Sequence, residues 1–427
     1  MYRYCVIGVS TLLAMLVWAV IIFTSMDQGW FRNPITSSAS AEDFITATEK
    51  RIKQEQVGNL GVLLIEDGQI AGSYYASVGE PVGPDSVFQV ASLSKWVTAW
   101  GVMAMVEDGK LDLDKPVSRY LTRWQLPESE FSNEAVTTRL LLSHTAGLGD
   151  GLGYAGFDKK EDVQTLEASL TRAKDASPGK DGFTSVAHKP GEKWDYSGGG
   201  FTLLQLMVEE VSGQSFNEYM KERIFEPLGM NRSTFDYDEA VLLGLAENYN
   251  QHGSIEALKR YTSLAAASLH TSPADMAKFV QAQADPNIAT KILSIKAQKE
   301  MRLPHGEQLG SDIWGLGTML YASNNQNDYI IGHDGNNDPA INTAVRMDPA
   351  TGNGIVVLET GNALLATQVA GEWVFWKTGN VDFLDFTLTM ENMFLLILIG
   401  ALVIFLVGLM MAWRTFKRRQ TSLASAS

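Results

Sequence analysis

Two apolar runs, one at each end, constrain this chain before anything between them is read. Val6 to Thr24 reads VIGVSTLLAMLVWAVIIFT, and Met393 to Trp413 reads MFLLILIGALVIFLVGLMMAW, without one charge in either. At 1.5 Å per residue each forms a helix of roughly 30 Å, the thickness of a bilayer's hydrocarbon core. The first run is longer than the roughly 7–15 apolar residues of a cleavable signal peptide. The nearest small-x-small site, Ala39-Ser40-Ala41, lies well beyond it, so the run reads as an uncleaved anchor. Arg414, Lys417, Arg418 and Arg419 follow the second run at once, while Asp382, Asp385 and Glu391 precede it. The positive-inside rule places that tail in the cytoplasm; two spans place the N-terminus there too, with Arg3 as weak support. The expected organisation is an anchor over 1–25, a linker over 26–42 and a folded domain over 43–380. A juxtamembrane stretch over 381–392, a second span over 393–413 and a basic cytoplasmic tail over 414–427 follow. The expected location is the plasma (inner) membrane, multi-pass, with the folded domain on the extracytoplasmic (periplasmic) side and the lipid bilayer as a partner.

The net charge of −15 falls to −20 for the region between the tails once Arg3 and the four tail cations are set apart. So acidic a surface excludes nucleic acid as the main partner, because phosphate binding needs clustered Lys and Arg. One cysteine, Cys5, excludes intramolecular disulfides and a Cys-rich zinc site. The six histidines show neither His-x-His nor His-Glu-x-x-His spacing, and no metal or other cofactor is expected.

Within the domain, Ala41 to Gln56 carries helical spacing. GVLLIE and QIAGSYYA flank Asp67-Gly68 as a hairpin. Helical patterns recur over Thr137–Ser143, Phe201–Val211 and Phe216–Ile224, and the segment 147–157, GLGDGLGYAGF, is a glycine-rich loop. Strand-like runs return late as IWGLGTMLYA, DYIIGH, NTAVRM and IVVLET, before a helix over Ala363–Trp376. Strands at both ends with helices between them predict an α+β fold, one antiparallel sheet closed by its first and last segments.

Three elements carry chemistry. Ser92-Leu93-Ser94-Lys95 opens a strong helical pattern that ends at Gly109; at i, i+3 the amine and the hydroxyl share one face. The motif alone is weak, since a helix-capping serine looks the same and Ser177-Pro178-Gly179-Lys180 repeats it, but in a loop. A lysine serves as base only if burial or neighbouring cations lower its pKa. Trp194-Asp195-Tyr196-Ser197-Gly198-Gly199-Gly200 sets a phenol beside glycines that let the backbone bend. His333-Asp334-Gly335-Asn336 ends a strand where glycine lets a ligand approach and the next N–H is free to donate to an oxyanion.

In this order, with LLLSHTAGL (140–148), PGEKWDYSGGG (190–200), IFEPLGM (224–230) and AAASLHTSPADMAKF (265–279), the chain resembles the penicillin-recognising serine hydrolases. The branch is that of class C β-lactamases, D,D-peptidases and related esterases. The resemblance, over about 45–378, implies a β-lactamase-like mixed domain beside an all-helical lobe, with the site between them. It implies Ser92 as nucleophile, Lys95 as proton acceptor and Tyr196 as proton shuttle. His333 stands where many members have the Lys of Lys-Thr-Gly. The oxyanion donors are the N–H groups of Ser92 and Asn336, with Gly335 allowing the close approach. Gly198 stands where lactamases carry a substrate-binding Asn, and His333 weakens the cation that holds a carboxylate. Lys377-Thr378-Gly379 follows a helix and is a decoy. The expected activity is cleavage of an amide or ester of a small-molecule or peptide substrate through an acyl-enzyme. The rival is a non-catalytic penicillin-binding-like domain that holds cell-wall peptides or a membrane partner. No Gly-x-Ser-x-Gly elbow supports an α/β-hydrolase.

Overall fold

The computed structural model describes residues 2–150, 153–289 and 291–424. Part of the glycine-rich loop, 151–152, and the last tail residues, 425–427, lie outside the described residues. Two units separate: residues up to Pro34 with those from Gly379, and Ile35–Thr378.

In the first unit, α1 (Tyr2–Asp27) and a helix from Phe383 to Ala424 pack on each other. Both are long and apolar enough to cross a membrane. Trp18 lies against Gly400 and Thr11 against Gly408, where the missing side chains let the helices close; Trp18 Nε1 donates to Leu396 O at 3.1 Å. Ile22, Phe386 and Met393 form a small apolar cluster, and Arg32 pairs with Asp385 at 2.6 Å. The helix begins ten residues ahead of the expected span and takes in most of the juxtamembrane stretch, which packs through Phe386.

The second unit opens with α2 (Ala41–Glu55), capped by Ser40, whose Oγ accepts from Asp43 N–H. Strands β1 (Leu60–Glu66) and β2 (Gln69–Ala76) follow. Asp67 and Gly68 both take positive φ, 49° and 71°, the two-residue turn that matches strand twist. A short pair, β3 (Phe88–Gln89) and β4 (His270–Thr271), lies outside the main sheet. The main sheet is antiparallel in the order β2-β1-β10-β9-β8-β7-β6-β5, with β5 Gly306–Gln308, β6 Ser311–Trp314, β7 Met319–Ser323, β8 Tyr329–Asn337, β9 Ile341–Met347 and β10 Gly354–Thr360. The first and last strands meet as the sequence implied, Val62 opposite Val357. Every residue of β9 and β10 is buried, so both faces of the sheet are covered there.

Helix α3 (Ser94–Glu107) is apolar nearly all round and buried from Ser94 to Met105, as a helix at the centre of a domain must be. Helices α4 (Thr138–Leu142) and α5 (Gly198–Ser212) belong to the helical lobe. Helix α6 (Pro273–Ala284) brings Phe279 edge-on to Trp96 and Trp100, with ring centroids 5.0 and 5.3 Å apart. Helix α7 (Leu365–Thr378) packs on β9 and β10, and α8 is the long helix Phe383–Ala424.

Three sequence expectations need correction. IWGLGTMLYA is not one strand: Gly315 N–H bonds Thr318 O, Gly317 takes φ 70°, and Gly317 N–H bonds Leu142 O, so a tight turn splits it into β6 and β7. The Phe216–Ile224 helix widens into a π-turn over Lys221–Phe225 just before Pro227, which has no N–H to continue the ladder. The helix expected to start at Ser92 starts at Ser94; Ala91–Leu93 form a separate 3₁₀ turn.

Candidate active site

That turn is where the site begins. Ala91 holds φ 48°, a conformation costly for a residue with a Cβ. Bonds on every side fix it: Ser94 Oγ donates to Ala91 O at 2.5 Å and accepts from Leu269 N–H, and Thr343 Oγ1 donates to Val90 O at 2.9 Å. The result is a sharp bend that leaves Ser92 half-buried while its neighbours Ala91, Leu93, Ser94 and Lys95 are buried.

Lys95 is 1% exposed and one helical turn on. Its Nζ lies 3.2 Å from Ser92 Oγ and donates to Ala266 O at 2.8 Å, with the rings of Tyr196 and Phe201 beneath it. Burial pulls its pKa from 10.5 down to about 7, against the opposing pull of the Asp150 carboxylate. With one N–H committed to Ala266, a neutral amine has its lone pair free for the Ser92 proton. Burial raises the Tyr196 pKa, against the opposing pull of the Ser92 side chain, so it stays a neutral phenol able to pass a proton.

His333 lies on β8 opposite Val345, 1% exposed. Its Nδ1 meets Asp334 O at 2.6 Å; a carbonyl only accepts, so the ring proton sits on Nδ1 and Nε2 is left as an acceptor. Burial first and the Lys95 charge second push its pKa down to about 3. It is therefore neutral and not a permanent cation. Asp334 points to the other face, as adjacent strand residues do, toward Tyr321, Thr367 and the fully buried Arg346. That network anchors β8.

Strand β7 pairs with β8 only as far as Gly332, so His333 to Asn337 present an edge with no strand partner on that side among the described residues. At Gly335 any Cβ would collide with Val90 O, which explains the glycine: the strand edge presses against the bend that carries Ser92. Asn336 follows, its side chain donating to Ala363 O at 2.5 Å. Gly198 opens α5 and is buried; a Cβ there would stand 2.8 Å from Tyr154 Cε2, so an aromatic ring closes over this position. The decoys separate. Ser177 Oγ donates to Gly153 O in its loop, and Lys377 ends α7 paired with Glu66 at 2.6 Å.

Four residues were missed by sequence reasoning. His144, at φ 56°, accepts from Ser197 N–H on Nδ1 at 3.1 Å and stacks on Tyr196 with centroids 4.4 Å apart. Burial, then Lys95 and His333, hold its pKa well below the usual imidazole range. Trp314 stands between the two histidines, edge-on to both, and Asp150 grips the Tyr196 turn. Ala91, with its positive φ, is the fourth. The stretch LLLSHTAGL contained His144, but nothing in its composition tied it to Tyr196, fifty-two residues later.

A hydroxyl, an amine whose pKa burial lowers to about 7, a neutral phenol and an open strand edge meet at one place, the set needed to acylate a serine and release a protonated leaving group. The Staphylococcus aureus (strain MW2) Protein flp is 24% identical over 336 residues, covering 76% of this chain and 64% of that protein. This chain thus spans a little under two thirds of that relative. The octameric penicillin-binding protein homologue from Pyrococcus abyssi superposes with a TM-score of 0.66 at 25% identity, over 80% of this chain and 78% of that one. The D-amino acid amidase from Ochrobactrum anthropi SV3 superposes at 0.59 with 22% identity, over 78% and 95%. The family described as Beta-lactamase matches residues 44–372, the span that contains every element of the cleft. The chain belongs to the beta-lactamase family of serine hydrolases.

Proposed function

We propose that Ser92 is the nucleophile of an amide or ester hydrolase anchored in a membrane by α1 and α8, its catalytic unit outside the cytoplasm. The observation that supports this most directly is Lys95 Nζ 3.2 Å from Ser92 Oγ in a buried setting that leaves much of the amine neutral near pH 7. Ser92 Oγ attacks the carbonyl carbon while its proton passes to Lys95, and the C=O electron pair moves onto oxygen. The N–H groups of Ser92 and Asn336 receive that oxyanion. The tetrahedral intermediate collapses as Tyr196 delivers its proton to the leaving nitrogen or oxygen and takes back the one held on Lys95, leaving an ester on Ser92 and both groups as they began. Water, deprotonated by the same groups, then releases the acid and restores the serine. The amide-cleaving amidase among the structural neighbours fits this chemistry. The topology rests on the charge-free runs and the basic tail that follows the second.

The test is labelling of the full-length protein in detergent with a neutral fluorophosphonate, the adduct mapped by mass spectrometry. A single adduct on Ser92, lost in Ser92→Ala, is expected. Labelling that survives that substitution, or that lands on Ser177, overturns the assignment.

A further inference from the structure

The turn that carries Tyr196 is gripped at three points by the segment just after α4. His144 Nδ1 accepts from Ser197 N–H, Asp150 Oδ1 accepts from Ser197 Oγ at 2.5 Å, and Asp150 Oδ2 accepts from Gly199 N–H. Ser197 is also the N-cap of α5, its Oγ accepting from Gly200 N–H at 2.9 Å. A neutral cap of this kind is complete without a carboxylate. Yet Asp150 is an acid, 8% exposed, and burying an ionised carboxylate is expensive even where hydrogen bonds offset part of the cost.

That charge acts on Lys95. The groups that face Lys95 Nζ are Ser92 Oγ, the Ala266 carbonyl, the rings of Tyr196 and Phe201, and the imidazoles of His144 and His333, both neutral. Among the described residues Asp150 is the negative charge that acts on Lys95. It opposes ionisation of Tyr196 as well. Burial raises the Asp150 carboxyl to about 6, and hydrogen bonds from Ser197 and Gly199 pull the other way, so it is ionised where the amine begins to lose its proton, near 7.

Resting on the reading of Ser92 and Lys95 given above, we propose that Asp150 is a positioning residue of the acylation step. It fixes the turn that aims Tyr196, and its charge stabilises the ammonium that forms on Lys95 when the Ser92 proton arrives. Asp150 exchanges no proton. The bond that forms is Ser92 Oγ to carbonyl carbon, the proton moves from Oγ to Nζ, and the carboxylate acts through its charge on the cation so created.

Such a role has a two-part signature. The lysine must be neutral to act, so the acylation rate rises with pH through its titration. Asp150 holds that titration up. Asp150→Asn therefore moves the rising limb to lower pH, and at the same time lowers the plateau on the order of 10²-fold, the scale for misplacing a proton-transfer group. A purely structural residue lowers the plateau and leaves the limb in place. Second-order labelling rates of the full-length protein with a neutral fluorophosphonate, from pH 5 to 9, read both. Asp150→Glu, which keeps the charge, should hold the wild-type limb. Ser197→Ala, which loses one anchor and one of the bonds that keep the carboxylate ionised, should lower the plateau and move the limb less than Asp150→Asn does. Should Asp150→Asn fail to fold, Asp150→Ser keeps an acceptor for Gly199 N–H in a smaller side chain and carries the same expectation. A limb that stays put or rises in the neutral variants overturns the role of Asp150. A wild type that never labels at Ser92 overturns the hydrolase reading instead, so the two failures are distinct.

Discussion

Gly198→Asn returns to this chain the amide that lactam-hydrolysing members carry, and the structure says why it is not tolerated singly. The new Cβ would stand 2.8 Å from Tyr154 Cε2, 3.3 Å from Cδ2 and 3.4 Å from Gly153 Cα. The ring has little room to retreat: its hydroxyl bonds Thr202 Oγ1 at 2.9 Å, and Thr202 in turn bonds Ser263 Oγ at 2.6 Å. Overpacking of this kind costs about 1–3 kcal/mol. Loss of glycine's freedom in the unfolded chain returns about 0.4–1 kcal/mol, since Gly198 sits at an ordinary φ. The net is a destabilisation of about 1–2 kcal/mol, or a fall in Tm of about 1–3 °C. Tyr154→Ala alone should cost more, through the cavity it leaves. The double variant should be more stable than the sum predicts by about 1–2 kcal/mol, because the asparagine occupies space the ring vacated. Thermal unfolding of the four proteins in detergent closes the cycle. Activity follows the same logic. Wild type should hydrolyse a nitrophenyl ester well and a chromogenic cephalosporin poorly. The double variant should gain about two- to tenfold in kcat/KM on the cephalosporin, the worth of one hydrogen bond of about 0.5–1.5 kcal/mol. Additive stabilities to within about 0.5 kcal/mol, or a wild type that cleaves both substrates equally fast, would refute the reasoning.

Lys95→Met should abolish acylation yet stabilise the fold. A lysine held from 10.5 down to about 7 carries a folding cost of about 5 kcal/mol, full at and below pH 7 and fading as pH rises toward 10.5; melts of variant and wild type should converge there. His333 is neutral from pH 5 to 8, so wild-type kcat/KM on esters with and without a free carboxylate should share one pH profile. His333→Lys should favour the carboxylate ester and shift the rising limb to lower pH through its charge beside Lys95. A wild type that binds the carboxylate ester best below pH 6.5 and loses it above would refute the neutral histidine. A reporter active only in the cytoplasm should be active when fused after Ser427 and silent when fused at Thr378; the reverse pattern would mean an inverted topology.

Local chemistry was legible in the sequence and long-range chemistry was not. Asp67-Gly68 announced a hairpin because both residues tolerate the positive φ that the turn needs. Ser92 and Lys95 were visible because one helical turn relates them. His144 and Asp150 were invisible as members of the site because their partners, Ser197 and Gly199, lie 53 and 49 positions away. The break at Gly315 was hidden for the same reason: what stops the strand is Leu142 O and Met301 O capturing the next N–H groups, a tertiary effect overriding strand propensity. Ala91 gave no signal at all, since alanine is among the residues least associated with a left-handed backbone.

The antiparallel union of β1 and β10 puts a clock on the birth of this protein. Val62 and Val357 are separated by nearly three hundred residues, and closing a loop of that length costs about 5 kcal/mol before any contact repays it. At about 5–20 residues per second, a ribosome takes roughly 15–60 s between the two strands. Throughout that interval β1 has its hairpin partner β2 on one side and a bare edge, LGVLLIE, on the other. An apolar edge left open so long invites pairing with a neighbouring chain. Expression of this protein should therefore lean on whatever holds nascent chains apart where it emerges, and slower synthesis should worsen its yield.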